Sequence, residues 1–486
     1  MEDKAIRGVP WTLLSYGANK TVLLLSTVAL ARLLPPRDFG LVALATIAVT
    51  FLAMIKDLGL GGTLIVRQDL DARSRETVLG LMVAGGLVMA GAAALAAAPL
   101  AAFFDEPRLT GVLLGLTPML VIGGFAGFYE AVLQAELEFR RRFYALMAQA
   151  LTIAAVSVGA AVAGAGVWSL VAGQVVGLLV FAVMVRALAR ERIRPRLHRD
   201  RAREVMAVGK GFLVQSGAAF LRANADYVAV GRAFGSGPLG HYSMAWRLAD
   251  MPYQAVTDPV SRVTFPAFAR LRAAGQSIAD PYLKVLRLMT LVCVALGAML
   301  SAAAEPFTLA VFGEDWRPMT APLTVLGLWA VVRAMESTTA WMLNAVGLAG
   351  ISGAVSVGIL VVLVPGLVLA ASLGTPTTVA AVVLADALLS LTVLALVAHR
   401  RAGIRLADQW AAVFPVLAAA VPAWIAARVA ASGIDASPWL ALPAAVAVGL
   451  AAYLAAIRLL HPPLLRDALG HIGRTLRPQP AEALQS

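Results

Sequence analysis

Leu33-Leu34-Pro35-Pro36-Arg37-Asp38-Phe39-Gly40-Leu41 ends one apolar stretch and opens the next, and Phe234-Gly235-Ser236-Gly237-Pro238-Leu239-Gly240-His241-Tyr242 does the same about 200 residues later. Proline lacks the amide that would continue a helix and glycine accepts a sharp reversal, so each stretch reads as a turn between helices. A second pair has a consistent offset, about 208 residues. Ala98-Pro99-Leu100 followed by Phe104-Asp105-Glu106-Pro107 is matched by Glu305-Pro306-Phe307 followed by Phe312-Gly313-Glu314-Asp315-Trp316. Six apolar spans separate the copies, an even number, so both halves insert the same way up, related by an axis along the membrane normal. Parallel repeats of this kind are a transporter architecture, with the substrate expected between the lobes.

Hydrophobic residues make up 60% of the 486-residue chain and charged residues 14%, with a mean hydropathy of +0.81. Soluble domains do not have that balance. A hydrocarbon core of about 30 Å takes roughly 20 apolar residues per helix, and about fourteen such spans can be placed, from residues 10–33 to residues 438–460. The sequence therefore predicts an all-α polytopic membrane protein of two pseudo-symmetric six-helix lobes plus two C-terminal helices. Residues 1–190 form the N-terminal lobe, 191–204 a basic cytoplasmic linker and 205–400 the C-terminal lobe. Spans 13 and 14 occupy 401–460, and 461–486 form a cytoplasmic tail.

Basic residues are sorted by gap. Arg73 and Arg75, Arg140 to Arg142, the run from Arg186 to Lys210, Arg270 and Arg272, and Arg400, Arg401 and Arg405 fall in every second gap, whereas the alternate gaps hold Arg37, Arg108, Arg232 and Arg317. The positive-inside rule puts the basic gaps and both termini in the cytoplasm, with the chain in the cell's inner membrane. A net charge of +12 is then a topology signal beside anionic headgroups and not a nucleic-acid footprint. Lys20 interrupts the first apolar stretch, which reads as a retained anchor rather than a signal peptide. The single cysteine, Cys293, excludes an intramolecular disulfide. Short external gaps with few acids (Asp105, Glu106, Glu314, Asp315) disfavour a membrane glycosyltransferase or polymerase. No P-loop, metal-ligand spacing or nucleophile motif is present, so a non-enzyme without cofactor is expected.

An ionisable side chain at the bilayer centre costs about 2.5–3.5 kcal/mol on insertion scales, so each needs a partner or a wet cavity. Spacings of three or four suggest pairs on one helix face: Arg222 with Asp226, Arg247 with Asp250, Asp258 with Arg262, and Arg333 with Glu336. Asp250, Gln254 and Asp258 also form a polar stripe. These pairs either neutralise themselves or line a hydrated, cationic cavity. Lys20 beside Asn19, Glu130 near Gln134, and Asp386 have no opposite charge within a turn, so their partners are on other helices or are ligands. Glu130 is placed to meet Lys20 across the first lobe. Trp11, Trp168, Trp316, Trp410 and Trp439 lie near span ends, as an interfacial aromatic belt would.

Ala5-Ile6-Arg7-Gly8-Val9-Pro10-Trp11, the turn from Leu33 to Gly40, Asp57-Leu58-Gly59-Leu60, and Asn224-Ala225-Asp226-Tyr227 through to Leu239-Gly240-His241-Tyr242-Ser243-Met244-Ala245-Trp246-Arg247-Leu248 carry a family resemblance. With them the chain resembles the polysaccharide flippases of the multidrug/oligosaccharidyl-lipid/polysaccharide exporter superfamily, in the Wzx branch of the WzxC type that includes teichuronic acid and succinoglycan exporters. The resemblance implies export of a polyprenyl-diphosphate-linked saccharide by alternating access, for O-antigen, exopolysaccharide or similar surface polymers. An anionic diphosphate needs fixed cations, and Lys20, Arg222, Arg247 and Arg333 are the candidates, with Asn19 and Gln254 beside them, because guanidinium donors form a planar fork that suits phosphate oxygens. Asp226, Asp386 and Glu130 are candidates for coupling to a proton or sodium gradient; Asp250, Asp258 and Glu336 are acidic partners in the cavity. The implied partners are the lipid-linked oligosaccharide, the bilayer and the polysaccharide polymerase and co-polymerase machinery, with the protein itself a monomer. A peptidoglycan-precursor flippase and a cation-coupled multidrug antiporter remain alternatives, and embedded arginines disfavour the second.

Overall fold

The computed structural model describes residues 2–57, 60, 64, 71–190, 192–433 and 437–460, with side chains from residue 17 onward except those of 199 and 202–216. The opening 5–11 motif is thus described in its backbone alone, and Leu58, Gly59, the Lys210 side chain and the 461–486 tail lie outside the described residues. No strand occurs among the described residues; α-helix follows α-helix. The first helices are α1 (Glu2–Leu33), α2 (Pro36–Asp57), α3 (Ala72–Phe103), α4 (Arg108–Leu116), α5 (Pro118–Ala135), α6 (Phe139–Val162) and α7 (Val167–Leu188). Then come α8 (Arg199–Phe234), α9 (Ser236–Ala273), α10 (Ala279–Ala302), α11 (Ala304–Val311), a 3-10 turn at Glu314–Met319 and α12 (Thr320–Ala345). The chain closes with α13 (Ala349–Leu373), α14 (Pro376–Ala402), α15 (Leu406–Ser432) and α16 (Pro438–Leu460).

Proline and acidic caps set the starts. Pro36, Pro118, Pro376 and Pro438 are first residues of helices, where a missing amide costs no intrahelical bond. The Asp71 carboxylate accepts the Ser74 amide at 2.9 Å and so caps α3.

Eleven helical stretches among the described residues are long and apolar enough to cross a membrane. The helices α1, α8 and α9, of 32, 36 and 38 residues, are longer than a crossing requires. They carry the densest embedded charge, so the expected number of fourteen depends on admitting these three. Leu95, Val361 and Leu373 are 82, 75 and 78% exposed. Such exposure would be an aggregation hazard in water, but it is ordinary against acyl chains.

The chain divides into two compact units, which interleave its length. One takes Met1–Ala245, Val311–Met319 and Ser356–Val382; the other takes Trp246–Ala310, Thr320–Val355 and Val383–Ser486.

In the first unit, Val78, Leu79 and Met82 of α3 pack against Phe128, Tyr129 and Val132 of α5 and Phe181 and Val185 of α7. The basic segment at residues 192–198 is not a free linker. It is tied to this core: the Tyr129 hydroxyl donates to the Ile193 carbonyl at 3.0 Å, the Arg196 amide to the Glu76 carbonyl at 3.3 Å, and His198 Nε2 meets Glu76 at 3.2 Å. Gly80 makes room, since a Cβ there would fall 2.6 Å from the Arg196 carbonyl oxygen.

In the second unit, small residues let helices meet. Val416, Ala419, Ala423 and Ala427 of α15 pack with Val294, Ala298 and Met299 of α10 and with Tyr453 and Ile457 of α16. Close approach of small-residue stripes replaces the hydrophobic drive that lipid abolishes. The Tyr453 hydroxyl bonds the Leu291 carbonyl at 2.9 Å, and Trp424 Nε1 bonds Ser301 Oγ at 3.1 Å.

Candidate functional site

The two quoted turns of the repeat pack on each other within the first unit. A Cβ on Gly40 would sit 1.8 Å from the Ser236 carbonyl oxygen, and a Cβ on Gly240 would sit 1.9 Å from that of Pro36. The contact is reciprocal: the glycine ending one turn touches the start of the other. Only glycine permits this backbone approach. Around it, Ser236 Oγ donates to Glu106 at 2.7 Å, Arg108 lies 3.8 Å from buried Asp38, and His241 Nε2 donates to the Asp315 carbonyl at 2.9 Å. Trp316, expected in an aromatic belt, is wholly buried and donates its indole N–H to the Ala31 carbonyl at 2.9 Å, with Phe39 edge-on at 5.3 Å. An indole beside proline and charge reads as interfacial in sequence; here the turns fold over it. Trp168, Trp410 and Trp439 are exposed, as a belt requires.

Deeper in the first unit lies a polar cluster. Glu130 of α5 accepts from Arg142 of α6 at 2.9 and 2.7 Å and from Gln134 at 3.3 Å. Its ion-pair partner is thus an arginine from the next helix rather than a residue of α1. The side chain of Asn19 donates to the Leu146 carbonyl, one turn beyond Arg142, at 3.3 Å, which brings half-buried Lys20 of α1 alongside α6. Lys56 of α2 lies between α3 and α5, its side chain against Gly85 and Gly123. It is 7% exposed, with its ammonium 3.9 Å from a Cβ position on Gly123, and Asp57 is the acid that acts on it, itself in the field of Glu130. Lys56 makes no ion pair or hydrogen bond among the described residues. Sequence reasoning passed over it because Lys56-Asp57 falls near the end of an apolar span; a lysine inside residues 41–64 was the signal.

Asp226 is 3% exposed and accepts the hydroxyl of fully buried Tyr242 at 2.7 Å, joining α8 to α9. Arg222, one turn earlier, is half-buried.

The second unit holds the other candidates. Arg333 Nη1 donates to Glu336 at 2.6 Å, and Ser390 of α14 donates to the second Glu336 oxygen at 2.5 Å. Asp386, one turn before Ser390, acts electrostatically on Arg333, as does Tyr253. Asp386 therefore has a basic neighbour on another helix. Gln254 donates to Asp250. The expected Arg247–Asp250 and Asp258–Arg262 pairs do not form. Arg247 and Arg262 are exposed and make no ion pair among the described residues. The Gln254 amide occupies the Asp250 carboxylate, and Arg262, near the basic end of α9, extends away from the stripe. Of the cationic candidates, Lys20 and Arg222 belong to the first unit, and Arg247 and Arg333 to the second. No group of three or more possible metal ligands occurs among the described residues.

Known proteins share this sequence and fold. The succinoglycan biosynthesis transport protein ExoT of Rhizobium meliloti is 29% identical over 68% of this chain, and the match spans about two thirds of that protein, 66%. The teichuronic acid biosynthesis protein TuaB of Bacillus subtilis is 23% identical over 77% of this chain and 78% of its own. Among solved structures, the lipid II flippase MurJ in an inward closed conformation superposes with a TM-score of 0.77 at 12% identity, covering 95% of this chain and all of that one. An inward-facing multidrug MATE transporter of the MOP superfamily gives 0.60 at 16% identity over 80% of this chain and 94% of its own. At these identities the structures speak for the fold alone. The family described as polysaccharide biosynthesis protein matches residues 29–321, more than half the sequence, and the chain belongs to it.

Proposed function

We propose that this protein is a flippase that moves a polyprenyl-diphosphate-linked oligosaccharide from the cytoplasmic to the outer leaflet of the inner membrane, for assembly of a cell-surface polysaccharide. Membership of the polysaccharide biosynthesis family and relatives named as transport and biosynthesis proteins for such polymers support it. The observation that carries it is Lys56: a lysine only 7% exposed, with no hydrogen-bond acceptor among the described residues, packed between Gly85 and Gly123. A buried cation without an acceptor is costly unless an anion arrives. A diphosphate headgroup is that anion.

In this reading both termini are cytoplasmic, the headgroup meets the cations from the cytoplasmic side, and the Gly40–Gly240 turn contact closes the far side. Parting those turns releases the saccharide while the polyprenyl tail stays in the bilayer, which is alternating access. Lys20, Lys56 and Arg222, all of the first unit, serve the diphosphate, and Asp226 or Asp386 carries coupling to a proton or sodium gradient. The protein acts as a transporter rather than an enzyme, as a monomer, and hands its cargo to polymerase machinery.

The test is a deletion strain analysed for lipid-linked oligosaccharides. Accumulation on the cytoplasmic leaflet, relieved by the wild-type gene but not by Lys56→Ala, is expected. Unchanged pools would overturn the proposal. A lipid II flippase, which has the same fold, is the rival reading; a strain that dies on depletion while its surface polymer persists would decide for it.

A further inference from the structure

The second unit contains a cleft that the proposed transport does not use. It has a volume of about 220 Å³ and lies between α10, α12, α14 and α15. Its floor is Tyr282 and Thr339, buried and bonded to each other at 2.9 Å; its mouth is Leu388, Leu396 and Trp410, which are 48, 39 and 61% exposed. The polar group reaching in from α15 is satisfied, since Gln409 Nε2 donates to the Ala395 and Ile404 carbonyls at 3.3 and 3.2 Å. A saccharide would find no unmet donor there, whereas an apolar chain loses nothing by entering. At about 30 Å³ per water-sized group the cleft has room for roughly seven methylenes, a segment of a chain and not a headgroup.

Charge at one end fixes the polarity of the occupant. The lining face of α14 passes through Leu388, Leu391 and Ala395, and His399 continues it at the same helical spacing. Arg400 follows one turn after Leu396, and Arg405 immediately precedes Leu406 of the lining. All three are exposed, and none makes an ion pair among the described residues. His399 and Arg400 stand in the last turn of α14 and Arg405 caps α15, around a gap that the charge pattern assigns to the cytoplasm.

We propose that this cleft holds one acyl chain of an anionic phospholipid of the cytoplasmic leaflet, with its phosphate on His399, Arg400 and Arg405. A basic pocket between transmembrane helices at this depth is the arrangement that recognises anionic headgroups. The site rests on the same topology as the transport reading but not on its substrate.

Full-length protein in mild detergent, offered phosphatidylglycerol or phosphatidylcholine of identical chains, tests it by native mass spectrometry. Phosphatidylglycerol is expected to be retained at one per chain. Retention should fall about tenfold with the triple variant His399→Gln, Arg400→Gln, Arg405→Gln and again with Ala395→Trp, which fills the cleft. Thr392→Phe at the mouth replaces Ala395→Trp if that protein does not fold. In nanodiscs, bromine-labelled acyl chains of phosphatidylglycerol should quench fluorescence that is lost in Trp410→Phe. Equal retention of the two lipids, retention that survives both kinds of variant, or displacement by equimolar polyprenyl phosphate would overturn the proposal. The last outcome would assign the cleft to the carried lipid. Lipid-linked oligosaccharide pools in the deletion strain report on the transport reading separately.

Discussion

A nearly buried lysine with no acceptor and a half-buried glutamate with two donors place opposite demands on their surroundings. Lys56 is nearly buried yet makes no hydrogen bond or ion pair among the described residues. A charged hydrogen bond from it to a phosphate is worth about 1.5–3 kcal/mol, so Lys56→Ala should lower transport roughly tenfold to a hundredfold. Protein abundance should hold, because removing an unsatisfied buried charge costs the fold little. Lys56→Arg should retain part of the activity, and complementation of surface polysaccharide in the deletion strain reads all three. Glu130 differs, for it is bonded twice by Arg142. With both side chains about a quarter to a third exposed (26 and 30%), the pair is screened and its loss should cost only about 1 kcal/mol. If that pairing is its role, Glu130→Gln lowers the thermal midpoint in detergent and adding Arg142→Gln restores most of it and of transport. If Glu130 carries the coupling ion, the double variant stays inactive. Glycine sets a harder limit. Gly40→Ala puts a methyl 1.8 Å from a carbonyl oxygen, and overpacking of this kind costs about 1–3 kcal/mol; a fall in export together with a lower midpoint is expected.

Helices were legible because runs of roughly 20 apolar residues have one stable form in lipid. Their partners were not, because pairing across helices leaves no fixed spacing in the chain. Glu130 and Arg142 lie on either side of the α5–α6 turn, and Arg140 to Arg142 were read wholly as a topology signal, which hid the one that turns inward. Composition likewise marks the basic segment at residues 192–198 as a linker, although the acceptor on α3 and the Tyr129 hydroxyl hold it down. Tyr129→Phe removes one of these bonds, worth about 1 kcal/mol, and limited proteolysis after Arg192 or Arg196 should quicken. The cap of α3 carries a pH signature. The Ser74 hydrogen bonds hold the Asp71 carboxyl below its ordinary value, so its contribution is complete above the unfolded carboxylate range near 3.9 and is lost only as pH falls through the lower folded value. Asp71→Ala should speed amide exchange in the first turn of α3 at neutral pH, and the difference from wild type should vanish below that folded value.

For the molecule as a whole, the twofold repeat is the most informative feature of the sequence, because its two turns share their chemistry and meet in reciprocal contact. Sequence could not place Lys20, Arg222, Arg247 and Arg333 together, and the division of the compact units at Ala245 and Trp246 falls inside α9 and separates two of them from the other two. Whether the turn contact must open can be asked directly. In Glu106→Cys with Ser236→Cys, whose native oxygens lie 2.7 Å apart, a short reducible thiol crosslinker should stop export, and reduction should restore it. Native Cys293, 3% exposed, does not compete. The same helix α9 has prolines at 252, 259 and 266. Seven residues are nearly two full turns, drifting by only about 20°, so three missing amides fall along almost one side, and the carbonyls of Leu248, Ala255 and Arg262 lose their partners in the helix. A rod notched repeatedly on a single side behaves as a leaf spring: it yields in one plane, resists in the others, and stores the direction of its own recoil.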